Sequence, residues 1–264
     1  MLFDKKVSYN LENFKTYTIL DNLYYYYDTK EKKTKYLNGI PKQGIIQIVG
    51  TNGTGKSLLV NNITSNVIQD KKVLYISTEI LGEYVYYNIK QRCESLDLEF
   101  KEDNLLIVDL ARNTDYIYDI NKFFKEIVEV LKNNRIELVI IDSLTAFYEN
   151  LENKARLVVR QIYNFFKKWR KTGIFISQKR SSHEENSSEA AGGYAVAHIL
   201  DSTVVMIKKI IQTKWDSEDY GIEKGKMIRI LRIDDCRLCL HSTKEHLFRI
   251  NEKGIIEIIK EKER

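Results

Sequence analysis

Five short apolar runs recur along the chain, IIQIV at 45–49, VLYIS at 73–77, LLIVDL at 105–110, LVIID at 138–142 and GIFIS at 173–177, with longer mixed segments between them. Runs of this length with little polar alternation suit strands buried on both faces. The segments between them, such as INKFFKEIVEVLKNN at 120–134 and ARLVVRQIYNFFKKWRKT at 155–172, place apolar residues three and four apart. That spacing predicts amphipathic helices. Strands alternating with helices predict an α/β fold, a mostly parallel twisted sheet with helices on both faces. After residue 200 the pattern changes to STVVMIK, KMIRILRI, HLFRI and GIIEII, strands without long helices. These predict a C-terminal antiparallel extension of the same sheet, or a hairpin beside it.

The first 40 residues have no helical period. Tyr24, Tyr25, Tyr26 and Tyr27 precede the charged run DTKEKKTK, and the tyrosines are expected in a strand packed on the core. The chain therefore divides into an N-terminal extension, 1–36, that packs on a domain formed by 37–264. A length of 264 residues suits one large domain. With 43% apolar and 30% charged residues the composition excludes a disordered chain. No apolar run approaches the roughly 18 residues of a membrane-spanning helix. The opening MLFDKKVSYN places charges where a signal peptide needs its apolar region, so a cytoplasmic protein is expected. Three cysteines make no disulfide framework. A net charge of +5 is mild and does not by itself specify nucleic acid.

The stretch GTNGTGKS, Gly50 to Ser57, fills the pattern G-x-x-x-x-G-K-[ST], with a predicted strand before it and the helical SLLVNNITSNVI after it. This is a phosphate-binding loop in its required context. Gly50, Thr51, Asn52, Gly53, Thr54, Gly55, Lys56, Ser57 and Leu58 are the candidate nucleotide-binding residues, since backbone N–H groups of such a loop and the helix N-terminus favour phosphate. Lys56 is expected to reach the β- and γ-phosphates, and Ser57 to ligate Mg²⁺. A further metal-side carboxylate belongs at the end of a neighbouring strand. Asp142, closing LVIID, is preferred over Asp109. Glu79, two residues past VLYIS, is placed either to orient water at the γ-phosphate or to open the next helix as a solvated acid.

Taken in order, GIPKQGIIQIVGTNGTGKS, VLYISTE, LVIIDSLTAF, GIFISQ and EAAGGYAVAHILDSTVVMIK resemble the RecA superfamily, and within it the KaiC and RadA branches, from residue 39 to about 259. The resemblance implies a RecA-like P-loop ATPase using ATP and Mg²⁺, with Glu79 as catalytic base and Gln178 coupling the γ-phosphate to the partner-contacting region. It also implies a homo-oligomer, ring or filament, with ATP between subunits and a cationic finger from the neighbour. KaiC-like chains end the finger strand in K-M-R. Here IRILRIDDCR puts Arg232 at the lysine and Asp234 at the arginine, so Arg232 is the candidate finger and Arg237 the reserve.

Charge in the loops bears on the partner. The segment 179–193 holds Lys179 and Arg180 against Glu184, Glu185 and Glu189, and the loop after Asp142 holds Lys154 against Glu149 and Glu152. Neither is a positive track for a nucleic-acid backbone. F-x-x-A, helix-hairpin-helix and four-cysteine segments are absent from the sequence. An ATPase that gates association with a protein partner is therefore the leading expectation. A DNA-dependent ATPase of recombination or repair and a nucleotide-binding scaffold with negligible hydrolysis are the alternatives. Finally, CRLCLHSTKEH places Cys236, Cys239, His241 and His246 within eleven residues, and C-x-x-C is a spacing used by zinc knuckles. Cys236, Cys239 and His241 are candidate zinc ligands, against the alternative of a strand end with two small thiols.

Overall fold

The structure is a computed structural model that describes residues 11–149, 154–178 and 198–259. In chain order its strands are β1 (Asn13–Phe14), β2 (Tyr24–Asp28), β3 (Lys33–Tyr36), β4 (Ile40–Pro41), β5 (Ile45–Gly50), β6 (Lys72–Ser77), β7 (Leu105–Asp109), β8 (Ile136–Asp142), β9 (Thr172–Gln178), β10 (Ser202–Ile210), β11 (Met227–Cys236), β12 (Leu240–His241), β13 (His246–Ile250) and β14 (Ile256–Ile258). The helices are α1 (Lys56–Val67), α2 (Gly82–Ser95), α3 (Asp115–Tyr118), α4 (Ile120–Asn133), α5 (Ala155–Lys168) and α6 (Lys214–Tyr220). Nine strands form the central sheet in the order β14-β13-β11-β10-β5-β9-β8-β6-β7. The six from β10 to β7 run parallel, and β11, β13 and β14 continue the sheet antiparallel.

Two apolar layers account for the buried strands. Successive residues of a strand point to opposite faces, and here both faces are covered. Ile46 and Ile48 of β5, Val73 and Tyr75 of β6, and Leu138 and Ile140 of β8 pack with Leu59, Ile63 and Val67 of α1 and Val85 and Ile89 of α2. The intervening Leu74, Ile76, Val139 and Ile141 pack instead with Phe123 and Ile127 of α4 and Val159 and Phe166 of α5. This is why these strands read as apolar runs and the helices as one-sided stripes.

The strands after residue 200 extend the sheet, with one departure from expectation. β10 is parallel to β5 over Ser202–Val205, so it belongs to the parallel block and the antiparallel extension begins at β11. The residues of β10 from Ser202 to Ile207 are all buried, which fits a strand between two neighbours rather than a one-faced edge. The β10–β11 connection also contains α6, which Thr213 and Asp216 start with a reciprocal capping box. The tyrosine stretch forms β2, paired with β3 and β12. Tyr24 is fully buried, and its hydroxyl lies 3.0 Å from Ser202 Oγ.

Candidate active site

Parallel register brings four strand ends to one edge. Gly50 of β5 sits beside Gln178 of β9, and Ser77 of β6 beside Asp142 of β8. This carboxyl edge is where open α/β sheets bind ligands. The phosphate loop leaves β5 and enters α1 through Gly55, whose φ of 104° is left-handed, as is the 76° of Gly53. Only glycine adopts such backbone readily. Gly55 offers no side-chain cap to α1, so the first N–H groups of the helix are not taken up by a capping side chain.

A cavity of ≈ 350 Å³ opens there, lined among others by Lys56, Ser57, Glu79, Asp142 and Gln178. Lys56 is buried, and its Nζ donates to Gly50 O at 2.7 Å and Thr51 O at 2.9 Å. Burial lowers the pKa of this ammonium, opposed by Asp142 and Glu79 and reinforced by Lys208. Asp142 is 8% exposed. Its Oδ2 accepts from the Tyr75 hydroxyl at 3.0 Å, and Ser57 also donates to it. Burial raises the pKa of Asp142 while these two hydrogen bonds lower it. A hydroxyl and a carboxylate held together beside an anion-binding loop are hard oxygen donors of the kind Mg²⁺ takes, so the residues fit that ion. Asp109, the alternative carboxylate, is turned away: it accepts from Gly82 N at 2.8 Å and from Arg112 N at 2.8 Å, closing the start of α2.

Glu79 does not open α2, which begins at Gly82. Its Oε1 accepts from Ser143 Oγ at 2.5 Å and from Gln178 Nε2 at 2.6 Å. Ser143 is fixed in turn by Thr78, whose Oγ1 accepts from Ser143 N at 2.8 Å and donates to Ser143 O at 3.0 Å. The peptide bond between Asp142 and Ser143 is cis. Gln178 N donates to Thr145 Oγ1 at 2.9 Å. Two residues of this set escape a reading by motif. Ser143 has no signal beyond its place after the strand-end acid. Lys208 lies on β10, and its Nζ comes within 3.3 Å of where a Cβ on Gly53 would stand.

Arg232 is not part of this cavity. Its Nε donates to Asp234 at 2.6 Å and its Nη1 to Glu245 at 3.2 Å. Arg237 is held by the carbonyl of His198 and lies 3.8 Å from Asp235. Lys179, Arg180, Glu184, Glu185 and Glu189 lie outside the described residues, as does Glu152. For the candidate zinc ligands Cys236, Cys239 and His241, among the described residues no three His, Cys, Asp or Glu side chains converge as a metal site. The two sulfurs are 3.7 Å apart, but His241 Nδ1 lies 3.1 Å from Ser242 O and His246 Nε2 2.8 Å from Ser242 Oγ.

A family model described as "ATPase: KaiC" matches residues 15–263. The chain belongs to the KaiC-type ATPase family. It is 27% identical over 231 residues to a protein named UPF0273 from Thermotoga maritima, covering 83% of this chain and 88% of that one. It is 26% identical to the DNA repair protein RadA of Aquifex aeolicus over 83% of this chain but 43% of RadA. It is 23% identical to the circadian clock oscillator protein KaiC of Rippkaea orientalis, over 82% of this chain and 40% of KaiC. The sheet, the phosphate loop and the family therefore agree on a RecA-superfamily P-loop ATPase core of the KaiC and RadA kind. No helix among the described residues is long and apolar enough to cross a membrane.

Proposed function

We propose that this KaiC-type ATPase binds MgATP at an interface between copies of itself and hydrolyses it slowly, to drive or gate association with a protein partner. The observation that carries the catalytic half is the single carboxylate oxygen of Glu79, held by Ser143 and Gln178 on the rim of the cavity that Lys56, Ser57 and Asp142 also line. An oriented carboxylate at that rim suits polarisation of an attacking water. Gln178 joins that carboxylate to the segment after β9, a direct route from phosphate state to partner surface. Lys56 and the N–H groups of the loop would hold the β- and γ-phosphates. Ser57 and Asp142 would hold Mg²⁺, which when bound neutralises phosphate charge. Arg232 is our candidate for the neighbour's finger. It stands outside its own cavity, as a residue acting in trans must, and leaving Asp234 and Glu245 is what such a role demands of it.

The test is steady-state ATP hydrolysis over a range of protein concentrations, with and without single-stranded DNA, at two salt concentrations. A specific rate that rises with protein concentration and ignores DNA supports the reading. Stimulation by DNA that fades as salt rises makes the chain a nucleic-acid ATPase of recombination or repair instead. ATP binding without turnover at any concentration leaves a nucleotide-binding scaffold.

A further inference from the structure

The C-x-x-C pair stands without a third converging ligand among the described residues, an arrangement that suits thiol chemistry. We propose that Cys236 and Cys239 are a redox-active dithiol that exchanges with low-molecular-weight disulfides and closes to an intramolecular disulfide. Cys236 ends β11 and Cys239 stands just before β12, so one tight turn carries both. Their sulfurs are 3.7 Å apart. A disulfide bond is about 2.05 Å long, so closure asks for a movement of less than about 2 Å, within reach of side-chain rotation.

Hydrogen bonding separates the two ends of the pair. The two sulfurs share a hydrogen bond, and only Cys236 Sγ also accepts from the backbone N–H groups of Leu238 and Cys239, donors that favour a thiolate at Cys236. Both cysteines are partly exposed, whereas Cys93 is on the buried face of α2. Cys236 is thus the attacking sulfur and Cys239 the resolving one.

Exchange takes two steps. The Cys236 thiolate attacks one sulfur of oxidised glutathione, expelling one glutathione thiolate and leaving a mixed disulfide. Cys239 loses its proton to solvent, and its thiolate attacks Cys236 Sγ and expels the second glutathione thiolate. The protein pair is oxidised by two electrons, and one glutathione disulfide is reduced to two thiols.

The full-length chain, first assayed for zinc as purified, is stripped with a chelator. It is then equilibrated across ratios of reduced to oxidised glutathione, quenched in acid and alkylated. The expected result is the joint loss of two of the three free thiols, a mass lower by about 2 Da in the acid-quenched sample before alkylation, and a link mapped between Cys236 and Cys239. Cys239→Ser should instead accumulate one glutathione adduct on Cys236, and Cys93→Ala should still lose two thiols and give the same Cys236–Cys239 link, with no thiol left to alkylate. Three alkylatable thiols at the most oxidising ratio, a link that includes Cys93, or one equivalent of zinc in the purified protein overturns the proposal. The wild-type mass and map decide the matter even if a variant fails to fold.

Discussion

Gln178 Nε2 donates to Glu79 Oε1 at 2.6 Å, joining the end of β9 to the turn after β6 across 99 residues of sequence. The bond fixes the direction of the Glu79 carboxylate at the mouth of the phosphate loop. It follows that Glu79→Gln should keep ATP binding within about twofold but lose roughly 10²- to 10⁴-fold in turnover, the range for removing a general base. Gln178→Ala should leave the carboxylate in place but unsteered, lowering turnover less. Parental hydrolysis by the Glu79→Gln protein, measured by phosphate release, would remove Glu79 from the mechanism.

Lys208 adds a second ammonium at the loop beside Lys56, through its approach to Gly53. A partly exposed charge at this range is worth about 1 kcal/mol to a bound polyphosphate, or roughly fivefold in affinity. Lys208→Ala should therefore weaken ATP binding about fivefold with little change in the unfolding midpoint of the nucleotide-free chain, read by calorimetric titration and thermal melts. Lys56→Ala, by contrast, should abolish measurable binding. Equal affinity of the Lys208→Ala and parental proteins would show that β10 contributes nothing to the nucleotide.

Gly50 ends β5 against the backbone of β10. A Cβ there would stand 2.3 Å from Met206 O and 3.0 Å from Thr54 Oγ1. Since a carbonyl oxygen in a sheet cannot retreat as a flexible side chain can, Gly50→Ala must push the strand and the loop apart. A loss of about 1–3 kcal/mol in urea unfolding is expected, with ATP binding lost alongside. An unchanged urea midpoint would mean that the loop yields where the geometry says it cannot.

Asp28 closes the β2–β3 hairpin, accepting from Lys35 Nζ at 2.7 Å and from Lys30 N at 2.9 Å. Chiefly through Lys35, its carboxyl is held down to about 2. Because the folded value lies below the ordinary carboxylate range, the hairpin's gain is complete above about pH 4 and disappears as pH falls through about 2. Amide exchange in β2 and β3 should quicken over that window in the parental protein, and Asp28→Asn should flatten the response. An identical pH profile in both proteins would detach the hairpin from Asp28.

Sequence by itself determined the strands β5 to β9, because parallel strands buried on both faces must be apolar throughout, and the covering helices, because each buries one stripe. It also determined the phosphate loop, since glycine adopts the positive φ at Gly53 and Gly55 most readily while Lys56 and Ser57 keep fixed spacing from them. The place of Asp142 followed from its position at a strand's carboxyl end. What tertiary structure decided was everything set by register between distant strands. That β10 is parallel to β5 rather than part of the antiparallel edge depends on which neighbour it meets, and local pattern is the same in either case. The approach of Ser143 and Gln178 to one oxygen of Glu79, of Lys208 to Gly53, and of Cys236 to Cys239 rather than to His241 likewise depends on side-chain direction at chain crossings. Spacing along a sequence counts residues, whereas a site is built from distances, and only the packed sheet converts one into the other.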